Sequence, residues 1–241
     1  ELGIDVLIGN KDKTKIVNYV EKFLKDHKRV SNFYDLLHSD FEDMTINHYE
    51  DRTRAFVKIQ DGCNNYCAYC IIPYLRGTIR NKDFDVAVKE INDLANNGFK
   101  EIVLTGLNLG SYNYNNEIKF IQIVKNMLEI SSKFGIRIRL SSIEPIYFND
   151  ELISLFKNSE VLCPHAHIPL QSGSDKILKL MNRRYTSGYY LNIVEKLYKT
   201  NSNIGISADI MVGFPNEDSN DFKDTYNLCE KSKFIKMHIF R

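Results

Sequence analysis

Three cysteines crowd into the segment IQDGCNNYCAYCIIPYLRG: Cys63, Cys67 and Cys70, separated by three residues and then two. Cysteine thiolates are the usual ligands of iron–sulfur clusters. A loop with this spacing can wrap three of them around one cubane, leaving the fourth iron without a protein ligand and open to an incoming molecule. Structural zinc takes four ligands, so a zinc reading must recruit Cys163, His165 or His167 from the distant stretch LCPHAHIPL. Cys163 and Cys229 otherwise read as core cysteines, and His165 and His167, alternating along one strand face, as hydrogen-bonded interior histidines. Five cysteines are an odd number, and their clustering suits a reducing compartment rather than a disulfide framework.

The elements that must position these thiols repeat along the chain. Beyond Arg52, short β-rich runs alternate with amphipathic helices, the runs covering residues 55–60, 102–105, 136–141, 165–170, 205–212 and 234–240. In the helix between the first two runs, Asp83 or Asp85 is the cap, Phe84, Val88, Ile91, Leu94 and Ala95 share one face, and Gly98 ends it. Alternating β and α elements argue for an α/β fold with a parallel sheet, either a barrel or a doubly wound sheet. Both architectures put chemistry at the carboxyl ends of the strands, which is where the cysteine loop follows the first run. Upstream, residues 2–9 read as a strand, and Asp12 or Thr14 as the cap of a helix through Ile16, Val20, Phe23 and Leu24. Residues 25–52 are polar and irregular, with His27, His38 and His48 scattered among them, and read as a linker.

Lysines and arginines (32) nearly balance aspartates and glutamates (31), so a nucleic-acid contact would have to come from a local patch. Arg76, Arg80, Lys82, Arg183 and Arg184 are the candidates for such a patch, meeting phosphates. No apolar run approaches the ~20 residues that span a bilayer, and no signal-type segment opens the chain. The expectation is a soluble cytoplasmic protein without a membrane partner. The chain starts at Glu1 rather than Met and stops at Arg241 directly after a strand, and so reads as a fragment.

With aromatic Tyr69 just before the last cysteine, the spacing resembles the signature of the radical S-adenosylmethionine (SAM) superfamily. The resemblance implies a partial (β/α)6 barrel and a 4Fe-4S cluster on Cys63, Cys67 and Cys70. In that superfamily the open iron chelates the amino and carboxylate groups of SAM, and an electron then breaks the bond from sulfur to the ribose 5′ carbon. The strings CIIPYLRG, EIVLTGLNLGSY, RLSSIEP, HIPLQSGSD, MNRRYT and DIMVGFP further resemble the methylthiotransferases. The branch most resembled acts on threonylcarbamoyladenosine in tRNA, adding a methylthio group at adenine C2 beside the anticodon. TGLN at 105–108, where the isopentenyladenosine branch reads Gly-Gln-Asn, and Gln171-Ser172, where the ribosomal-protein branch reads Gln-His, separate it from its sisters.

By this resemblance residues 1–27 are the remnant of a preceding methylthiotransferase domain, 28–51 a linker and 52–241 the radical SAM core. A second 4Fe-4S cluster and a C-terminal RNA-binding domain are expected only in a full-length protein, with tRNA and an electron donor such as flavodoxin or ferredoxin as partners. Residue roles follow by position. Gly106 lets backbone approach the methionine amino group, or is an ordinary turn glycine. Ser142 and Glu144 meet the ribose hydroxyls or the amino group. Gln171 follows the fourth strand, and Arg183 pairs with the SAM carboxylate through its guanidinium fork. Asp209 and Val212 belong to the strand that meets the adenine, Val212 as apolar cover, and Tyr69 touches the same ring. Asn216 stands where the family has glycine, and Asn tolerates the left-handed conformation such a turn requires.

Overall fold

Six parallel strands, paired in chain order, make an open, curved sheet: Arg54–Lys58, Glu101–Thr105, Arg137–Leu140, His165–His167, Gly205–Met211 and Lys236–Phe240. The structure is a computed structural model and describes residues 3–33, 39–45 and 53–241. Glu1, His38, His48 and Arg52, named above, and residue 2 of the expected first strand lie outside the described residues. The third and fourth strands join through the parallel bridges Ile138↔Leu162 and Ser142↔His167, reinforced by Ile143 N–H donating to His167 O at 3.1 Å. Among the described residues the first and sixth strands do not pair with each other, so the sheet is a partial barrel, as expected.

Binary patterning decides which face of the sheet is buried. On the first strand Ala55 and Val57 are fully buried while Phe56 points out, and Ile102, Leu104, Ile138 and Leu140 continue the buried layer on its neighbours. The helices bury Ala87, Ile91 and Leu94 (Phe84–Asn96) and Ile123, Val124 and Met127 (Phe120–Phe134) against that sheet. Asp83, not Asp85, caps the first of these, accepting Val86 N–H at 3.0 Å, and the chain turns away through Gly98 at φ +85°. The fourth strand is shorter than its apolar run because Pro169 has no N–H to donate and Gln171 takes φ +67°. Asn216 adopts φ +69°, the left-handed turn its position called for.

The amino-terminal part departs from expectation in two ways. Strand Val6–Ile8 pairs in parallel with Val30–Asn32, which falls inside the stretch read as linker, and helix Ile16–Asp26 connects them. Neither Asp12 nor Thr14 caps that helix with its side chain. Asp12 sits at φ +62° and pairs with Lys15 at 3.1 Å, while Thr14 N–H and hydroxyl are drawn to Glu42 at 2.9 and 3.3 Å.

Candidate metal centre at the barrel mouth

The cysteine loop leaves the end of the first strand and is tied down from four directions. Gln60, fully buried, donates from Nε2 to Asp61 O (2.8 Å) and Gly62 O (2.7 Å), and its Oε1 accepts Asn108 N–H at 2.7 Å. This single side chain thus joins the cysteine loop to the turn after the second strand. Asp61 accepts Gly62 N–H at 2.8 Å and two bonds from Arg76 Nη2 at 3.0 and 2.9 Å, with Lys58 Nζ at 3.1 Å. Burial works against the Asp61 carboxylate, yet Arg76, Lys58 and Gly62 N–H outweigh it and hold its pKa down at about 2. Cys63 N–H donates to Gly77 O at 3.1 Å and Cys70 N–H to Cys67 O at 2.9 Å, and Gly62 turns at φ +73°. From the far side of the mouth, Met181 O accepts Ala68 N–H at 3.1 Å, and Asn182 Nδ2 donates to Asn65 O and Tyr66 O at 3.1 and 3.0 Å.

The three thiols share one electrostatic environment. Burial pushes the Cys63 thiol up; an N–H from Asn65 works the other way, and Cys67, Glu144 and Cys70 add to the rise. Gathering three thiolates costs repulsion, which a cationic iron–sulfur cluster offsets, so the donor set fits that group. A cubane binds each thiolate to a different iron, so its cysteines surround a volume. A single ion requires convergence on a point, and among the described residues no three His, Cys, Asp or Glu side chains converge in that way.

Beside the cysteines stands a buried pair. Arg183 Nη1 lies 3.4 Å from Cys67 Sγ, Nη2 lies 2.7 Å from Glu144 Oε2, and Nε donates to Tyr185 Oη at 2.9 Å, with the guanidinium 5.1 Å over the Tyr185 ring. The Glu144 contact is close but poorly aligned, an ion pair rather than a linear hydrogen bond, which leaves Nη2 with unspent donor capacity. Burial raises the Glu144 pKa, and Arg183 opposes that rise. Tyr69 packs edge-on to Phe214, ring centres 6.5 Å apart, and links the cysteine loop to the turn after the fifth strand.

The remaining predicted residues fall in two groups. Gly106, Ser142, Glu144, Gln171 and Val212 all follow the carboxyl ends of successive strands, around one mouth. Gly106 has a structural reason to be glycine: a Cβ there would lie 2.8 Å from Gln60 Oε1 and 2.9 Å from Gln60 Cβ. Asp209 lies within the fifth strand, and its carboxylate is engaged by His167 Nε2 at 3.1 Å and His238 Nδ1 at 3.4 Å. Gln171 is fixed through its backbone to Asp209 O and Met211 N–H, both at 2.8 Å. His165 and His167 both bond Ser207 Oγ, at 3.0 and 2.8 Å, as interior hydrogen-bonded histidines should.

The proposed basic patch requires correction. Lys82, 1% exposed, is paired with Glu90; Arg76 is spent on Asp61; and Arg80 binds Ser39 Oγ at 2.7 Å and Arg76 O at 2.8 Å. Arg183 faces Glu144 and Cys67. Of the five, Arg184 alone is an exposed residue, because buried carboxylates turn the other cations inward. Gln60, Asp61, Asn108 and Asn182 are the supporting residues that sequence reading missed. The available signals were Gln60 and Asp61 directly before Gly62-Cys63, and the asparagine of MNRRYT, a residue type that tolerates the φ of +58° it takes in the structure.

A family model described as the Radical SAM superfamily matches residues 57–229. The chain is 36% identical over 241 residues to the threonylcarbamoyladenosine tRNA methylthiotransferase MtaB of Bacillus subtilis, covering 99% of this chain and 53% of that protein. It is 38% identical over 240 residues to the tRNA-2-methylthio-N(6)-dimethylallyladenosine synthase of Pelagibacter ubique, covering 98% and 54%. The chain therefore spans about half the length of the curated relatives it matches. Among solved structures, the radical SAM methyltransferase TsrM of Kitasatospora setae, with tryptophan and a SAM analogue bound, gives a TM-score of 0.64. It is 12% identical, and the match covers 78% of this chain and 35% of that one, so the likeness is one of fold. Coproporphyrinogen III oxidase (HemN) of Escherichia coli gives 0.57 at 12% identity, covering 80% and 44%.

Proposed function

Because the chain belongs to the radical SAM superfamily, we propose that it is the catalytic core of a tRNA methylthiotransferase acting at C2 of N6-threonylcarbamoyladenosine beside the anticodon. One observation carries this reading. The loop of Cys63, Cys67 and Cys70 stands at the mouth of a six-stranded parallel half-barrel, in a chain 36–37% identical over nearly all its length to proteins named for that activity. Cys63, Cys67 and Cys70 would hold a 4Fe-4S cluster, which when bound would supply the electron for reductive cleavage of SAM.

The chain's own residues bind and orient. Arg183 presents its remaining donor capacity to the SAM carboxylate, and Glu144 and Ser142 face the amino and ribose groups. Gly106 keeps the turn after the second strand free of a side chain. Tyr69 and Val212 wall the adenine at the turn that Gln171 and Asp209 brace. tRNA, a flavodoxin or ferredoxin as reductant and a cytoplasmic location complete the reading, with the second cluster held by the remainder of the longer protein. No helix among the described residues is long and apolar enough to cross a membrane.

Two measurements test it. Protein purified anaerobically should be brown, contain iron and sulfide and bleach with dithionite, and Cys67→Ala should abolish the colour. tRNA from a strain lacking the gene should lose the methylthio group on threonylcarbamoyladenosine. Loss from isopentenyladenosine instead would move the protein to the sister branch, to which it is also similar.

A further inference from the structure

Arg183 is bound to more than a cofactor carboxylate requires. Its Nη1 points at Cys67 Sγ (3.4 Å), its side chain is 4% exposed, and Tyr185 holds it in place through an Nε–H···Oη bond of 2.9 Å. Tyr185 Oη itself is pinned between Pro169 O and Leu170 O at 3.0 and 2.9 Å, so the guanidinium is aimed by the end of the fourth strand. On the opposite side Glu144 supplies one negative charge, 2.7 Å from Nη2. A cation that touches a ligand thiolate and is matched by a single carboxylate forms a graded electrostatic device beside that sulfur.

We propose that Arg183 and Glu144 set the reduction potential of the cluster, Arg183 raising it through its hydrogen bond to Cys67 and Glu144 partly offsetting the charge. This rests on the cluster reading above. A reduced cluster carries one more negative charge than an oxidised one. A hydrogen bond and a positive charge at a ligand sulfur favour the reduced form, and burial keeps solvent from screening either. Glu144 meets the guanidinium on a different nitrogen, so it moderates the charge without removing the bond to sulfur. Arg183 is in this sense a positioning residue whose effect reaches the iron through Cys67.

The test is a potentiometric titration, followed by electron paramagnetic resonance, of the anaerobically reconstituted chain and of Arg183→Met, Arg183→Lys and Glu144→Gln. Iron and sulfide are measured for each. Arg183→Met should move the potential to more negative values by at least the equivalent of a tenfold change in the reduced-to-oxidised ratio, ~59 mV for a one-electron couple. Glu144→Gln should move it the other way, and Arg183→Lys should fall between Arg183→Met and the parent. A purely structural role predicts lost iron without opposite shifts. Equal potentials, or shifts of one sign for Arg183→Met and Glu144→Gln, overturn the proposal. If Arg183→Met fails to hold iron, an unchanged potential in Glu144→Gln overturns it alone. A parent chain that binds no iron refutes the cluster reading instead, and the tuning role with it.

Discussion

Replacing Gln60 with alanine isolates the strut that joins the cysteine loop to the turn after the second strand. The side chain is fully buried and makes three hydrogen bonds, to Asp61 O, Gly62 O and Asn108 N–H, all between 2.7 and 2.8 Å. At about 1 kcal/mol net per bond the loss is about 3 kcal/mol, and the newly unpaired Asn108 N–H keeps the figure from falling lower. For a domain of this size ~2–4 °C of melting temperature accompanies each kcal/mol, so Gln60→Ala should melt roughly 6–12 °C below the parent. The assay is thermal unfolding followed by circular dichroism, with iron per chain after anaerobic reconstitution measured in parallel. Both should fall, because the strut fixes the loop that presents Cys63. A variant melting within ~2 °C of the parent with a full complement of iron would refute the argument that Gln60 holds the two loops together.

Three further outcomes follow from the same region. Gly62→Ala should abolish iron incorporation, since its Cβ would lie 1.8 Å from Thr78 O on a backbone at φ +73°; normal iron content would show that the turn has another conformation. Asp61, its pKa held at about 2 against an ordinary 3.8, contributes stability that is present above 3.8 and lost as pH falls through 2. Urea unfolding between pH 7 and pH 2 should show this loss, on the order of 2 kcal/mol, and Asp61→Asn should flatten the acid slope. Asn216→Gly should leave the urea midpoint unchanged or raise it, while Asn216→Val should cost ~1–2 kcal/mol because φ is +69° there.

The features legible in the sequence were local ones. Cysteine spacing is set by a handful of adjacent residues, the strand and helix periods repeat within short windows, and the left-handed turn at Asn216 followed from the glycine that the resembled family has at that position. The orientation of charge was not legible, because the partners are brought together by the fold rather than by helix or strand spacing. Arg76 finds Asp61 fifteen positions back, and Arg183 finds Glu144 across the mouth between the ends of the third and fourth strands. A row of basic residues therefore read as a surface when most of it faces inward. Asp12 and Thr14 failed as caps for a related reason. Glu42, in a segment read as linker, competes for Thr14, and Lys15 engages Asp12. The strand at Val30–Asn32 was missed because a three-residue strand carries too little pattern to rise above a polar stretch.

Gly106 shows how the two loops constrain each other. Read from position alone, it is a glycine because a cofactor must approach the backbone. The structure adds a second cause, since Gln60 fills the space where its Cβ would sit, at 2.8 Å from Oε1. Gln60 in turn cannot withdraw without releasing Gly62 O and Asn108 N–H, and Gly62 cannot accept a side chain because Thr78 O is already there. Two glycines and one buried amide thus lock the cysteine loop and the turn after the second strand into one body. Displacing the Gly106–Asn108 turn would therefore pull on the loop that carries Cys63 through Gln60. The turn after the second strand and the loop after the first are held to each other by packing and by the hydrogen bonds of Gln60.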